Sequence, residues 1–279
     1  MRRDTFLKSL AALAATGALP LSASAAANIK MLIPANPGGG WDTTGRALGK
    51  AMGDSNLVGA LALQKPAVDL TKVKPVARLF SDYPVVVVAA NSPIKTVNEL
   101  VERLRGNARQ TPMAIGAVGG ADHIFAGLLA KAAGAKPEDA VYLPFARNFE
   151  LVDAVTGGKA AAGVSSYGTF RAELTGGKLR ALGVSSKKST YGVKSMREQG
   201  LDVDLTNWRA VFTGAGVPAA RQAEMVEAVK ASLAYELWKK TLKESHWEQS
   251  WMSGADLGNF IDFDVKTTQL MVQLLKLKA

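Results

Sequence analysis

The 279-residue chain has no cysteine and only two histidines. Without cysteine there is no disulfide, thiolate metal site or cysteine nucleophile. His123 and His246 alone are little material for a zinc site or a Ser-His-Asp set, and adjacent Asp122-His123 lacks metal spacing. Gly163-Val164-Ser165-Ser166-Tyr167 comes nearest to a nucleophile elbow, but Tyr167 stands where that turn requires glycine. The residues therefore predict neither an enzyme nor a cofactor. Past the N-terminus no apolar run approaches the ~20 residues of a membrane span. Acidic residues are also in deficit, 24 against 34 Lys and Arg, for a formal charge of +10. That balance admits nucleic acid, anionic membrane or small organic anions as partners. Its dispersal, with only isolated pairs such as Lys187-Lys188 and Lys239-Lys240, argues against nucleic acid.

What is present is globular: 48% apolar and 21% charged residues exclude a disordered or low-complexity chain. The length suits about two domains. Residues 1–25 read as a secretory signal peptide, with Arg2, Arg3 and Lys8 first, an interrupted apolar stretch over 10–21, and small residues at Ala23-Ser24-Ala25. Arg2-Arg3 before Phe6-Leu7-Lys8 resembles a twin-arginine signal with one residue too many, so both this and general secretion stay open. A periplasmic location is expected. Loss of the segment leaves the mature chain basic.

Downstream, strands alternate with helices. Ile29–Pro34 leads into Pro37-Gly38-Gly39-Gly40-Trp41-Asp42-Thr43-Thr44 and a helix to about Met52. Val85–Ala90 is a fully apolar strand, and Thr96 with Glu99 has the spacing of a capping box. Strands follow at Met113–Ala117, Val141–Leu143, Ala160–Ser165, Arg180–Ser185 and Arg209–Gly214. Helices are expected at Asp122–Ala133, Glu150–Thr156 and near Thr169–Leu174. A long amphipathic helix starts at Pro218 and carries Val226, Val229, Leu233 and Leu237; Ser253 and Asp256 cap a terminal helix. This pattern predicts an α/β fold with largely parallel sheets. If Val85–Ala90 and Arg209–Gly214 cross between lobes, the chain is a bilobed periplasmic-binding-protein-like fold, two doubly wound sheets joined by crossover strands. Domain 1 is then 26–90 plus 209–279, and domain 2 is 91–208.

Two glycine loops are the candidate ligand contacts. In Gly38, Gly39, Gly40, Trp41, Asp42 and Thr43 the glycines permit close backbone approach, and free amides at the following helix start favour an anion. A tight turn capped by Asp42 or Thr43 explains the same residues. The loop lacks the lysine of a phosphate-binding loop and the spacing of a dinucleotide fingerprint, so a smaller anion is expected. The second loop, Gly116 to His123, repeats the arrangement through Ala117, Gly119, Gly120, Ala121 and His123. His123 either donates to a carboxylate or bonds neighbouring backbone. Ser165, Ser166 and Tyr167 end a third strand and are either a hydroxyl-bearing wall or a turn.

Taken together, Pro34–Arg46, Val76-Ala77-Arg78-Leu79 with Asp82-Tyr83, Ala90–Thr96, Gly119–His123, Gly177–Ser186, Glu198–Val203 and Asn207-Trp208-Arg209 resemble the solute-binding proteins of tripartite tricarboxylate transporters, the Bug family. The resemblance runs through nearly the whole mature chain. It implies a monomeric extracytoplasmic receptor that captures a small di- or tricarboxylate-like acid between two lobes and delivers it to the membrane permease subunits. It also implies that Gly38–Thr43 and Gly119–His123 grip the anion, with Ser165–Tyr167 as a third wall.

Three departures stand out against the family. Ala117 and Ala121 replace residues that commonly bear hydroxyls. Leu143–Asn148 replaces a glycine-rich turn and brings Arg147, either a ligand partner or a solvated surface group. Ser55–Leu63 stands where the family carries a further strand, a glycine-rich loop with its helix, and another strand. An internal deletion in the first lobe, and with it a truncated copy that no longer binds, is the alternative expectation, with an exported enzyme acting on a small acid as a further one.

Overall fold

The computed structural model describes residues 44–45 and 73–277. Thr44 and Gly45 are helical, and Thr44 is buried. The Gly38–Thr43 loop, the Ile29–Pro34 strand, the signal segment and Ser55–Leu63 lie outside the described residues.

The chain begins with two strands in close succession, β1 (Val73–Asp82) and β2 (Pro84–Ala89), separated by Tyr83 alone. They belong to different sheets. β1 is the centre of a three-stranded sheet with β7 (Asn207–Gly214) and β8 (Glu248–Ser253) on its flanks, both antiparallel to it. β2 enters a five-stranded sheet with β3 (Met113–Ile115), β4 (Tyr142–Pro144), β5 (Ala162–Ser166) and β6 (Leu179–Val184), ordered β4-β3-β5-β2-β6. β3 runs parallel to β4 and β5, while β2 is antiparallel to β5 and β6. Antiparallel ladders thus outnumber parallel ones among the described residues, against the largely parallel pairing that alternation suggested. β2, which follows β1 without a crossover helix, makes the two antiparallel ladders of the five-stranded sheet, and β1 makes the two of the three-stranded sheet.

The valine run of β2 shows why this sheet is the solid part of the molecule. Successive side chains point to opposite faces of a strand. Val86 and Val88 therefore enter the cluster under α1 (Val97–Asn107) and α2 (Ala121–Ala132). Val85 and Val87 pack beneath α3 (Asn148–Thr156) and α4 (Tyr167–Thr175). All four are fully buried, each contributing roughly 1.5–3 kcal/mol of apolar transfer energy. The expected capping box forms at α1: the Thr96 hydroxyl accepts from Glu99 N–H at 3.2 Å, and the Glu99 carboxylate accepts from Thr96 N–H.

The three-stranded sheet packs one face on α5 (Ala219–Ser232) and α6 (Glu236–Ser245) through Val76, Leu79, Phe80, Val229, Leu233, Trp238 and Leu242. Phe80 stacks on Trp247 with ring centroids 3.9 Å apart. The single helix expected after Pro218 is broken around Leu233–Tyr235, where the backbone turns before Glu236. The break carries Leu237 away from the apolar stripe and leaves it exposed. α7 (Gly254–Leu275) starts after β8 and ends against α2, with Leu275 and Leu277 packed over Gly127. Ser253 occupies its N-cap position without a side-chain capping bond. No helix among the described residues is long and apolar enough to cross a membrane.

Candidate functional site

The two sheets meet at Tyr83, and polar side chains gather around that joint. Asp82 closes β1 and lies opposite Asn207, the first residue of β7. Arg209 is two residues further on and so shares a strand face with Asn207. From the five-stranded sheet come Ser165 and Ser166 at the end of β5, paired with Val85 and Pro84, and Asp122 from the first turn of α2. Asn207 links the two sides, its Nδ2 donating to Ser166 Oγ at 3.3 Å.

Electrostatically the group is unusual. Asp82 is buried, and its Oδ1 has no hydrogen-bond partner among the described residues. Burial pushes its pKa up, opposed by Arg209 and by Ser166 and Asn207. Asp122 keeps partial contact with solvent. Its pKa rises to about 6, chiefly from burial and further from the Asp82 charge, with Ser165, Arg209 and the Gly116 amide pulling the other way. Two carboxylates with raised pKa values thus flank one guanidinium, and neither comes within ion-pair distance of it among the described residues. Burial and the hydrogen bond to Glu248 push the nearby Tyr83 hydroxyl up to about 12.

The second glycine loop is shaped by the same aspartate. Gly116 N–H donates to Asp122 Oδ2 at 3.3 Å, and a β-carbon at Gly116 would sit 2.7 Å from that oxygen, so the close approach requires glycine. Gly119 has φ +77°, the left-handed region that favours glycine. Its N–H donates to His123 Nδ1 at 3.1 Å, and Gly120 N–H donates to the Ala117 carbonyl at 3.0 Å. These amides are engaged within the loop; Ala117 is exposed and Ala121 half-buried. His123 is buried edge-on to Tyr142, its pKa lowered by that burial. With Nδ1 accepting, the neutral ring carries its proton on Nε2, which has no partner among the described residues. His123 thus bonds neighbouring backbone through Nδ1.

Ser165 is buried, its Oγ 3.3 Å from Thr169 Oγ1. Tyr167 stacks on Tyr191 with centroids 4.6 Å apart, and His246 meets both rings edge-on. Tyr191 and His246 hold positive φ angles of 58° and 57°, so this aromatic group sits on strained backbone beside the joint. Arg147 is exposed, 3.9 Å from Glu150 and over the Phe149 ring, in keeping with the solvated reading.

Of the residues named from sequence, Ser165 and Ser166 join Asp122 at the joint. Asp82, Asp122, Asn207 and Arg209 were missed as site residues. The signal was there in Asp82-Tyr83 and Asn207-Trp208-Arg209, both among the segments that carried the family resemblance.

Comparison with known proteins identifies the background to this geometry. No curated protein matches the chain in sequence. A TctC solute-binding protein from Polaromonas is 20% identical over 88% of this chain and 97% of its own, with a TM-score of 0.62. A Rhodopseudomonas palustris protein with adipate is 15% identical over 90% and 97%, with a TM-score of 0.79. MatC from Rhodopseudomonas palustris, with bound malate, is 17% identical over 89% and 97%, with a TM-score of 0.67. At such identities these structures establish the fold, that of a periplasmic binding protein. The family model of the tripartite tricarboxylate transporter family receptor, TctC, matches residues 63–277. The chain therefore belongs to the TctC family of tripartite tricarboxylate transporter receptors.

Proposed function

We propose that the mature chain works outside the cytoplasm as a monomeric receptor. It captures a small organic acid of the di- or tricarboxylate class and passes it to the permease subunits of a tripartite transporter, without chemical turnover. The family match over 63–277 carries this reading, and the adipate and malate held by two structural neighbours support the ligand class. In this reading the middle of the chain, 91–208, forms one lobe and the two ends, 26–90 with 209–279, form the other. Ligand sits between them and drives closure. Gly38–Thr43 from one lobe and Ala117–His123 with Ser165–Tyr167 from the other are the proposed contacts. Calorimetric titration of the mature chain with mono-, di- and tricarboxylates tests the proposal. Saturable binding without consumption of the acid supports it, and turnover overturns it.

A second reading, a receptor that has lost binding through the shortened segment at 55–63, is favoured by one observation. Phe212, Phe263, Leu270 and Leu274, on β7 and α7, are exposed, though Val118 and Phe149 earlier in the chain are exposed as well. Absence of binding to the whole panel, in a chain that melts cooperatively, selects that reading.

A further inference from the structure

We propose that Arg209 is the side chain that anchors a ligand carboxylate at the joint between the two sheets. The inference rests on the receptor reading above and names the residue that would give it charge selectivity.

The half-buried arginines of the described chain differ in what they bind. Arg78 donates to Ser250 and Ser81 and lies over the Phe260 ring. Arg180 donates to the carbonyls of Ala90 and Ile94. Arg221 pairs with Glu224. Arg209 uses Nη1 on Asn207 Oδ1 and the Trp208 carbonyl. Its Nε and Nη2 make no hydrogen bond among the described residues, and no carboxylate there approaches within ion-pair distance. A guanidinium presents five N–H donors in a planar fork that matches a carboxylate two bonds at a time. Here one arm is fixed and the rest of the fork has no partner among the described residues.

The fixed arm is itself held. Asn207 is buried, and it bridges from Arg209 to Ser166 on the opposite sheet. The guanidinium is therefore pre-positioned, which reduces the ordering cost of binding. The flanking acids do not satisfy it: Asp82 and Asp122 are within electrostatic reach but not in contact, and both are disfavoured as anions where they stand. Asp82 Oδ1, buried and without a hydrogen-bond partner among the described residues, is the second sign that the group has polar capacity to spare. A ligand carboxylate would supply the missing anion to Arg209.

The test titrates wild type, Arg209→Gln and Arg209→Lys with succinate, adipate and citrate, and with the corresponding neutral amides. Gln keeps a donor for Asn207 and removes the charge. We expect wild type to prefer acids over amides, and Arg209→Gln to bind acids about 10- to 100-fold more weakly. The melting temperature of its ligand-free form should stay within a few degrees of wild type. Arg209→Lys should recover part of the loss, since charge returns without the fork. If Arg209→Gln does not fold, the lysine variant carries the test: acid affinity equal to wild type then overturns the proposal. Arg209→Gln binding acids within about twofold of wild type, or keeping the full acid-over-amide preference, also overturns it. If wild type binds no acid at all, the receptor reading itself fails and this inference falls with it.

Discussion

The five-stranded and three-stranded sheets solve the burial problem differently. In the first, the apolar residues of β2 are covered on both faces, by α1 and α2 on one side and α3 and α4 on the other. In the second, one core forms around Phe80 and Trp238. On the elements attached to it, Phe263, Leu270 and Leu274 of α7 remain 70%, 55% and 57% exposed. They fall at i, i+7 and i+11, a single helix face. A core closed on both faces should unfold as a unit; one with bare apolar neighbours should open earlier and bind hydrophobic probes.

Phe170→Ala in the closed core gives the sharpest break with that picture, since Phe170 is fully buried. It should cost about 3–5 kcal/mol, read as a fall in the urea midpoint. Trp238→Ala should cost a similar amount by the same rule, yet act on a different transition. Hydrogen exchange should show lost protection concentrated in β1, α5 and α6, with β2, β3 and β5 retained. A uniform loss would mean the two sheets unfold together and the contrast is only one of surface.

The joint between the sheets predicts a pH effect of intermediate size. The Asp122 pKa is about 6 when folded, against about 3.9 in an unfolded chain. A carboxyl with a raised folded pKa contributes stability that is full below about pH 4 and is lost as pH rises through about 6. Because Asp122 keeps partial solvent contact, that contribution is at most on the order of 2 kcal/mol. Denaturation at pH 4.5 and 7.5 should show wild type losing more stability over this interval than Asp122→Asn. Equal losses would break the assignment.

The smallest effect is expected on the bare helix face. Replacing Phe263, Leu270 and Leu274 by Gln should change stability by no more than about 0.5 kcal/mol each, while lowering binding of a hydrophobic dye. A large destabilisation would show that this face is covered in solution.

Much of the fold was legible because its signals are local. The Thr96–Glu99 spacing, the β2 valines and the alternation from Met113 to Val184 each act within a few residues. β1 was not, because Pro75 and Arg78 interrupt its apolar pattern and two register shifts bend it. β8 was not, because Glu248-Gln249-Ser250 has no strand propensity and is a strand only by pairing with β1. The candidate site was legible in its hydroxyl wall, Ser165 and Ser166, which follows directly from a strand end. Asp82 with Asn207 and Arg209 was hidden, since strand pairing brings together what lies far apart in the chain.

Tyr83 carries one more consequence. It is the entire connection between a strand of one sheet and a strand of the other, so the slack in that link is two backbone torsions and nothing else. A link so short transmits twist and resists stretch. The chain crosses between the sheets again from Val184 to Asn207, a longer link, so Tyr83 is the tighter of the two and lies within the polar group itself. A molecule lodged beside Arg209 would act close to that tighter link.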